Sequence, residues 1–339
     1  MALLLAAAST TVITAASVSL LMAIPAAALA ETAGESNAAG RARVWLAALC
    51  VPPLLGVLVT GWALGLYAQG PGASPHLGGF RPHLCLVPLV TAPGGAVAVQ
   101  AFAWLSLLLT VAAVARMLGT TFSAHLLRRM MLASGVALDG DGQTPLLVEI
   151  GRPVCFTAGL LRPVTVLSTS LRARLSCREL RAVLAHERAH LRRRDNLARL
   201  LADAATTLLV IMPTVWYYRR RLRSALEEAA DDAAVAMGTQ PEELAGALAA
   251  MEAAADRGPR QPSLAELLIP EPALPAARRR RLEAIEEQPL SPAGRRGRTA
   301  MLLAAVVGVA VVAVLLIVAR RPLEDGLYCA VEQIVVAVT

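Results

Sequence analysis

Long apolar runs alternate with one large polar segment along the 339-residue chain. A membrane-spanning helix needs about 20 apolar residues with few charges. Runs that meet this requirement are Ala2–Ala30, Val44–Ala68, Gly94–Leu118 and Met301–Val318. The pattern predicts an α-helical multi-span membrane protein with about four transmembrane helices, in which residues 1–118 hold the first three.

The first apolar run has two interpretations. Ala28-Leu29-Ala30 before Glu31 resembles a signal-peptidase site. The run nevertheless lacks a basic segment in front of it and is about twice as long as the apolar part of a usual leader. We interpret Ala2–Ala30 as an uncleaved span, and a cleaved leader remains the alternative.

The polar segment, residues 119–256, has the patterns of a small inserted α+β domain. Leu146–Ile150 and Val164–Ser168 are short β-branched runs bounded by Gly and Pro, which predicts strands. Pro163, at the head of the second run, indicates an exposed edge strand. Further helices are predicted over four stretches, namely Thr121–Ala137, Ala198–Val215, Ser224–Met237 and Glu242–Ala255.

A strong helix start lies between the second strand and these later helices. Ser176 and Glu179 have the spacing of a capping box, in front of apolar positions with helical periodicity. The pattern predicts a helix that runs to about Arg194.

The remainder of the chain is divided into three parts. Residues 257–299 form a Pro- and Arg-rich linker with a short charged helix, 300–319 the fourth span, and 320–339 a short extracellular tail. We interpret the run Arg278–Arg281 as a solvated or lipid-headgroup face rather than a nucleic-acid site, because it lies next to a membrane span.

Composition narrows the class of protein. The chain is 56% hydrophobic and only 17% charged, which excludes an ordinary cytosolic enzyme and a disulfide scaffold. All basic residues are Arg, so the net charge of +7 is not a sign of nucleic-acid binding. The composition therefore indicates the lipid bilayer as a partner, and we expect no direct binding of nucleic acid.

Arginine placement predicts the orientation in the cell membrane. Arginines are concentrated between spans one and two and at both ends of the polar segment: Arg41, Arg43, Arg116, Arg128, Arg129, Arg295, Arg296 and Arg298. By the positive-inside rule the polar segment is cytoplasmic and the amino terminus is outside.

The chemistry-bearing pattern is His186-Glu187-Arg188-Ala189-His190 within the capped helix. Residues four apart share a helical face, so both imidazoles can bind one metal ion. Zinc accepts neutral imidazole nitrogens, and Glu187 can take a proton from a water beside it. The pattern predicts a zinc site with Glu187 as general base.

A catalytic zinc site needs a third protein ligand. Glu227 and Asp231 share one face of a later predicted helix, and Glu228 and Asp232 offer the same spacing one residue on. We expect Glu227 to bind the metal, with Glu228 as the alternative. Asp195, at the end of the first helix, is expected to support the site rather than bind the metal.

This expectation constrains the membrane topology. A ligand after Ala198–Val215 can reach the His186/His190 site only if that apolar stretch returns to the same side of the bilayer. Asp203 and Pro213 within the stretch favour a packed or interfacial segment over a span.

Together these motifs resemble the BlaR/MecR-type integral-membrane metallopeptidases. The resemblance covers about residues 95–240 and includes Gly159-Leu160-Leu161-Arg162-Pro163 and the two ligand-bearing helices. It implies a zincin-like metallopeptidase domain, facing the cytoplasm, between the third and fourth spans. It further implies that His186, His190 and Glu227 bind Zn²⁺, that Glu187 is the base, and that Asp231 supports a ligand histidine.

Well-known members of that family carry an extracellular penicillin-sensing domain and signal by clearing a winged-helix repressor. The tail after the fourth span is too short to fold as such a domain. The resemblance therefore implies a protein or peptide substrate, with a winged-helix repressor as one candidate, and no penicillin sensor. A non-catalytic membrane signalling or scaffold protein with a structural zinc is the alternative function.

Overall fold

The structure, a computed structural model, describes residues 1–32, 37–68, 94–137 and 145–255, together with 278, 281–282, 327–329, 331–332, 334–335 and 338. Within this part, the helices long and apolar enough to span a membrane are α1 (Ala2–Leu21), α3 (Ala38–Ala68) and α4 (Gly95–Ser134). The fourth span predicted from the sequence, Met301–Val318, lies outside the described residues.

The membrane-spanning helices differ in length from their sequence predictions. The first apolar run is divided at Met22 into α1 and α2 (Ala23–Thr32). Pro25 explains the division, because a proline has no N–H to donate to the carbonyl one turn before it. By contrast, Pro52 and Pro53 lie inside α3 without ending it.

The third span and the predicted helix Thr121–Ala137 are one continuous 40-residue helix, α4. The helix predicted over Thr121–Ala137 is confirmed as far as Ser134, where α4 ends. Large apolar side chains on the outer faces of these helices are exposed, as expected of surfaces that contact lipid: Leu20, Leu54, Leu58, Leu105, Leu108 and Val111.

A four-stranded mixed sheet follows α4. Its strands are β1 (Val136–Ala137), β2 (Leu146–Val148), β3 (Cys155–Ala158) and β4 (Val164–Ser168), in the spatial order β1-β2-β4-β3. β2 and β4 are parallel, and the other two pairings are antiparallel. The turn from β3 to β4 includes Gly159, whose φ of 101° favours glycine.

The sequence prediction that β4 is an edge strand was wrong. β4 pairs with β2 on one side and β3 on the other, and β3 is the edge strand at that end of the sheet. Pro163 precedes the first paired residue, Val164, so its missing N–H leaves no ladder position unfilled.

Helices make up the rest of the described domain. They are α5 (Thr169–Arg172), α6 (Cys177–Arg193), α7 (Asp195–Leu208), α8 (Pro213–Ala236) and α9 (Pro241–Ala255). The capped helix α6 confirms its sequence prediction. The helix predicted to begin at Ser224 begins at Pro213 instead, where a proline fits the first helical position.

The helices α7 and α8 join the domain to the membrane-spanning helices. A shared apolar core holds Trp45 and Leu49 of α3 together with Leu209, Tyr218 and Leu222. α7 has only 14 residues, too few to span a bilayer. After α7 the chain turns back, and α8 packs against α6, as a metal site shared by these two helices requires.

Candidate metal centre

The helix α6 places the two histidines of the sequence motif on one face. Its capping box is complete, since the Ser176 hydroxyl accepts the N–H of Glu179 and the Glu179 carboxylate accepts the N–H of Ser176. His186 and His190 lie one turn apart and are both buried. Their Nε2 atoms are 3.0 Å apart, so the two imidazoles converge on one point.

The helix α8 brings a carboxylate to the same point. Oε2 of Glu227 is 3.6 Å from Nε2 of His186, and its Oε1 is 3.7 Å from Nε2 of His190. Glu228, the alternative ligand, lies elsewhere: its carboxylate pairs with Arg41 and accepts a hydrogen bond of 2.7 Å from Ser224. The structure thus brings together the triad that the sequence favoured.

Each imidazole is also held by a second carboxylate through its Nδ1 atom. Oδ1 of Asp231 lies 2.9 Å from Nδ1 of His186, and Asp231 is fully buried. Oδ2 of Asp195 lies 2.6 Å from Nδ1 of His190. These carboxylates orient the rings so that both Nε2 atoms face the shared point.

Two arginines contact the Glu227 carboxylate. Arg199 donates to Oε1 at 2.6 Å, and Arg278 donates to Oε2 at 2.9 Å. Arg278 also donates to both carboxylate oxygens of Asp231. The prediction that the Arg278–Arg281 run is a solvated face was therefore wrong for Arg278, whose side chain is only 12% exposed.

Contacts between groups of opposite charge shift the pKa values of Glu227 and His190 towards their ionised forms. Burial opposes charge on Glu227, but hydrogen bonds from His186 and His190 and the charge of Arg278 hold its pKa below the ordinary range. Burial likewise opposes charge on His190, but its contacts with Asp195 and Glu227 raise the pKa to about 9. Glu227 is therefore anionic at neutral pH, the form that binds a metal.

Glu187 lies at the mouth of the site. Its Oε2 accepts a hydrogen bond of 2.9 Å from the hydroxyl of Thr157 on the edge strand β3. A cavity of about 290 Å³ opens here, and its wall includes Glu187, both histidines, Cys155 and Thr157. Burial and then the Glu187 charge raise the pKa of Cys155, so its thiol stays protonated.

The donor set fits a metal ion. One ligand atom from each of His186, His190 and Glu227 lies within 4.8 Å of the others. The separation of the two Nε2 atoms is close to the roughly 3.3 Å expected for two nitrogens bound tetrahedrally to one zinc. Two imidazoles and one carboxylate form a common ligand set of catalytic zinc sites.

Sequence reasoning missed three residues that shape this site, namely Thr157, Arg199 and Arg278. Asn196 donates to the carbonyls of Thr157 and Gly159 and so ties α7 to the edge strand. Each of these contacts joins residues 28 to 51 positions apart, so no local pattern in the sequence could have found it.

Comparison with known proteins identifies the family of this chain. A search of curated proteins finds no match to this chain. A family model described as BlaR1 peptidase M56 matches residues 95–266, which is half of the chain. The matched region runs from the start of α4 through both ligand-bearing helices. The chain belongs to the BlaR1 peptidase M56 family.

Proposed function

We propose that this protein is a membrane-embedded zinc metalloendopeptidase that hydrolyses peptide bonds of a cytoplasmic or membrane-proximal protein in regulatory signalling. The family is one of metallopeptidases, and the described helices are those of a membrane-associated protein. The observation that carries the proposal is the convergence of His186, His190 and Glu227 on one point beside the carboxylate of Glu187.

In this proposal His186, His190 and Glu227 hold Zn²⁺, which supplies a Lewis acid that polarises the scissile carbonyl. The cluster found among the described residues has three ligand side chains. Three protein ligands leave a coordination position open, as catalysis requires, whereas a structural site would be closed by a fourth. This favours the enzyme over the scaffold alternative.

Glu187 moves the proton. As general base it takes a proton from the attacking water and returns it to the leaving amine. The hydrogen bond from Thr157 occupies one of its carboxylate oxygens and leaves the other to accept that proton.

The peptide substrate binds along the free edge of strand β3. Its inner side pairs with β4, while Cys155, Phe156 and Thr157 line the cavity beside Glu187. An extended peptide that adds to this edge would bring its backbone to the site regardless of most side chains. β4 cannot serve in the same way, because it is an interior strand that pairs on both sides.

Replacement of the base tests the proposal. We expect Glu187→Gln to keep bound zinc at wild-type stoichiometry and to reduce cleavage of an unfolded protein substrate at least about 100-fold. Glu149→Gln, at an exposed carboxylate, is the matched control and should retain both properties. Full activity in Glu187→Gln, or purified chain that binds no zinc, would overturn the proposal.

The side of the membrane on which cleavage occurs follows from topology. Arg41, at the start of α3, pairs with Glu228, so that end of α3 lies on the same side as the peptidase domain. We propose that this side is the cytoplasm and that the substrate is a cytoplasmic protein, with a winged-helix repressor as the first candidate. Reporter fusions at about residue 140 and at the carboxyl terminus should report cytoplasm and exterior respectively, and the reverse result would contradict the orientation.

A further inference from the structure

A second cavity lies beside α8 and is larger than the cavity at the metal centre. It has a volume of about 630 Å³ and lies between α2, α3 and α8. Its charged lining consists of Arg41, Arg221, Arg281, Glu31 and Glu228. The lining thus carries three arginines and two glutamates.

The cavity lies at the boundary between water and the apolar part of the membrane helices. Arg41 is in the first turn of α3, and the long apolar run of that helix begins three residues later. The rings of Trp45 and Tyr217 line the cavity and pack edge to face with centroids 5.5 Å apart. Tryptophan and tyrosine favour this depth because their rings are apolar and carry a polar group.

Two of the three arginines are held in place by carboxylates. Arg41 pairs with Glu228, which is itself fixed by the hydroxyl of Ser224. Arg281 donates to Asp232 at 2.6 Å. These two guanidinium groups are therefore fixed on the wall before any ligand arrives.

Arg221 differs from both. None of the carboxylates in the described part of the chain pairs with it. Its guanidinium lies over the ring of Tyr217, 5.3 Å from the centroid, and its Nε donates to the Tyr217 hydroxyl at 3.2 Å. A preoriented guanidinium with most of its N–H donors uncommitted is well suited to bind a phosphate.

We infer that this cavity binds the phosphodiester of an anionic phospholipid headgroup. Arg221, which pairs with no carboxylate among the described residues, complements the single net negative charge of such a headgroup, and basic pockets between membrane helices bind such headgroups. Phosphatidylcholine has the same phosphodiester but no net charge, because its choline is cationic. The location at the membrane boundary allows the acyl chains to lie along the exposed apolar faces of the helices. Inorganic phosphate also offers anionic oxygens to the arginines but has no acyl chains, so it gains only part of this binding energy.

The test compares headgroups on the full chain in a neutral detergent at low ionic strength. Dihexanoyl phosphatidylglycerol, dihexanoyl phosphatidylcholine and inorganic phosphate are titrated separately, and the dissociation constant is measured by thermophoresis. We expect phosphatidylglycerol to bind at least about fivefold more tightly than either of the others. Equal affinity for phosphatidylcholine or for inorganic phosphate would overturn the headgroup assignment.

Matched variants locate the site. Arg221→Gln should weaken phosphatidylglycerol binding about fivefold, while Arg220→Gln, the exposed neighbour outside the cavity, should leave it unchanged. Equal losses in both variants would show non-specific attraction and overturn the site.

A third variant keeps the test decisive if Arg221→Gln fails to fold. Glu31→Gln removes an exposed negative charge from the lining and should tighten phosphatidylglycerol binding about threefold. Unchanged or weaker binding would overturn the inference. Since no step involves the metal centre, Glu187→Gln protein should bind the lipid as the wild type does, whatever its peptidase activity.

Discussion

Glu227 and Glu228 are neighbours on α8 whose side chains have different surroundings. Glu227 contacts both histidines of α6, and Glu228 contacts Arg41 of α3 and Ser224. Adjacent residues on a helix are rotated by about 100°, which is enough to direct two identical side chains to different sites. The residue spacing in the sequence limits the candidates for the third ligand to these two. Only the packing around α8 decides which of them lies beside the histidines.

This separation predicts opposite effects of two conservative changes. Glu227→Gln should lower the affinity for zinc more than about 100-fold, since even partners that only orient ligands contribute 10- to 100-fold. Glu228→Gln should change the affinity less than about threefold, because its carboxylate lies away from the histidines. Competition with a chromophoric chelator measures both. Loss of zinc from Glu228→Gln with retention by Glu227→Gln would reverse the assignment.

Elements whose structure depends on residues close together in the sequence could be predicted. Elements whose position depends on pairing with residues far away in the sequence could not. The cap and periodicity of α6 lie within one stretch of sequence, as does the spacing of His186 and His190. The interior position of β4 depends on its pairing with β2 and β3, which no local pattern encodes. The contact between Arg278 and Glu227 spans 51 residues, so sequence spacing gave no access to it.

The cap of α6 makes a testable contribution to stability. Ser176→Ala removes the acceptor for the N–H of Glu179 and should destabilise the protein by about 1 kcal/mol. Ser176→Asp restores an acceptor and should recover most of the loss. Thermal unfolding of the zinc-free protein in detergent measures both, and equal melting temperatures for all three proteins would contradict the role of the cap.

At the scale of the whole molecule, the peptidase domain and the membrane helices share one core. Tyr218 donates a hydrogen bond to the carbonyl of Ser19 in α1, and its ring stacks on Trp45 of α3. An ion pair between Arg219 and Asp203 fixes α8 to α7 within the same assembly. The domain is therefore packed into the membrane helices rather than tethered to them.

A core substitution between the two parts tests this packing. Leu209 is fully buried in the shared core, and Leu209→Ala should cost about 2–5 kcal/mol of unfolding free energy. Leu201, in the helix α7 that ends just before Leu209, is 41% exposed and gives the control Leu201→Ala, with a cost below about 1 kcal/mol. Similar losses in the two variants, measured by thermal unfolding in detergent, would contradict a stabilising contribution of the shared core.

The length of α8 has a consequence for the chemistry it supports. This single helix of 24 residues is about 36 Å long. Thr214 in its first turn contacts Ser19 of the lipid-embedded helix α1 at 3.0 Å, and Glu227 follows more than three turns later. Because an unbroken helix is stiff, a tilt of α1 in a bilayer would also shift the Glu227 carboxylate relative to the imidazoles. If that carboxylate holds zinc as proposed, we expect peptide hydrolysis to vary with the acyl-chain length of the lipid around the protein.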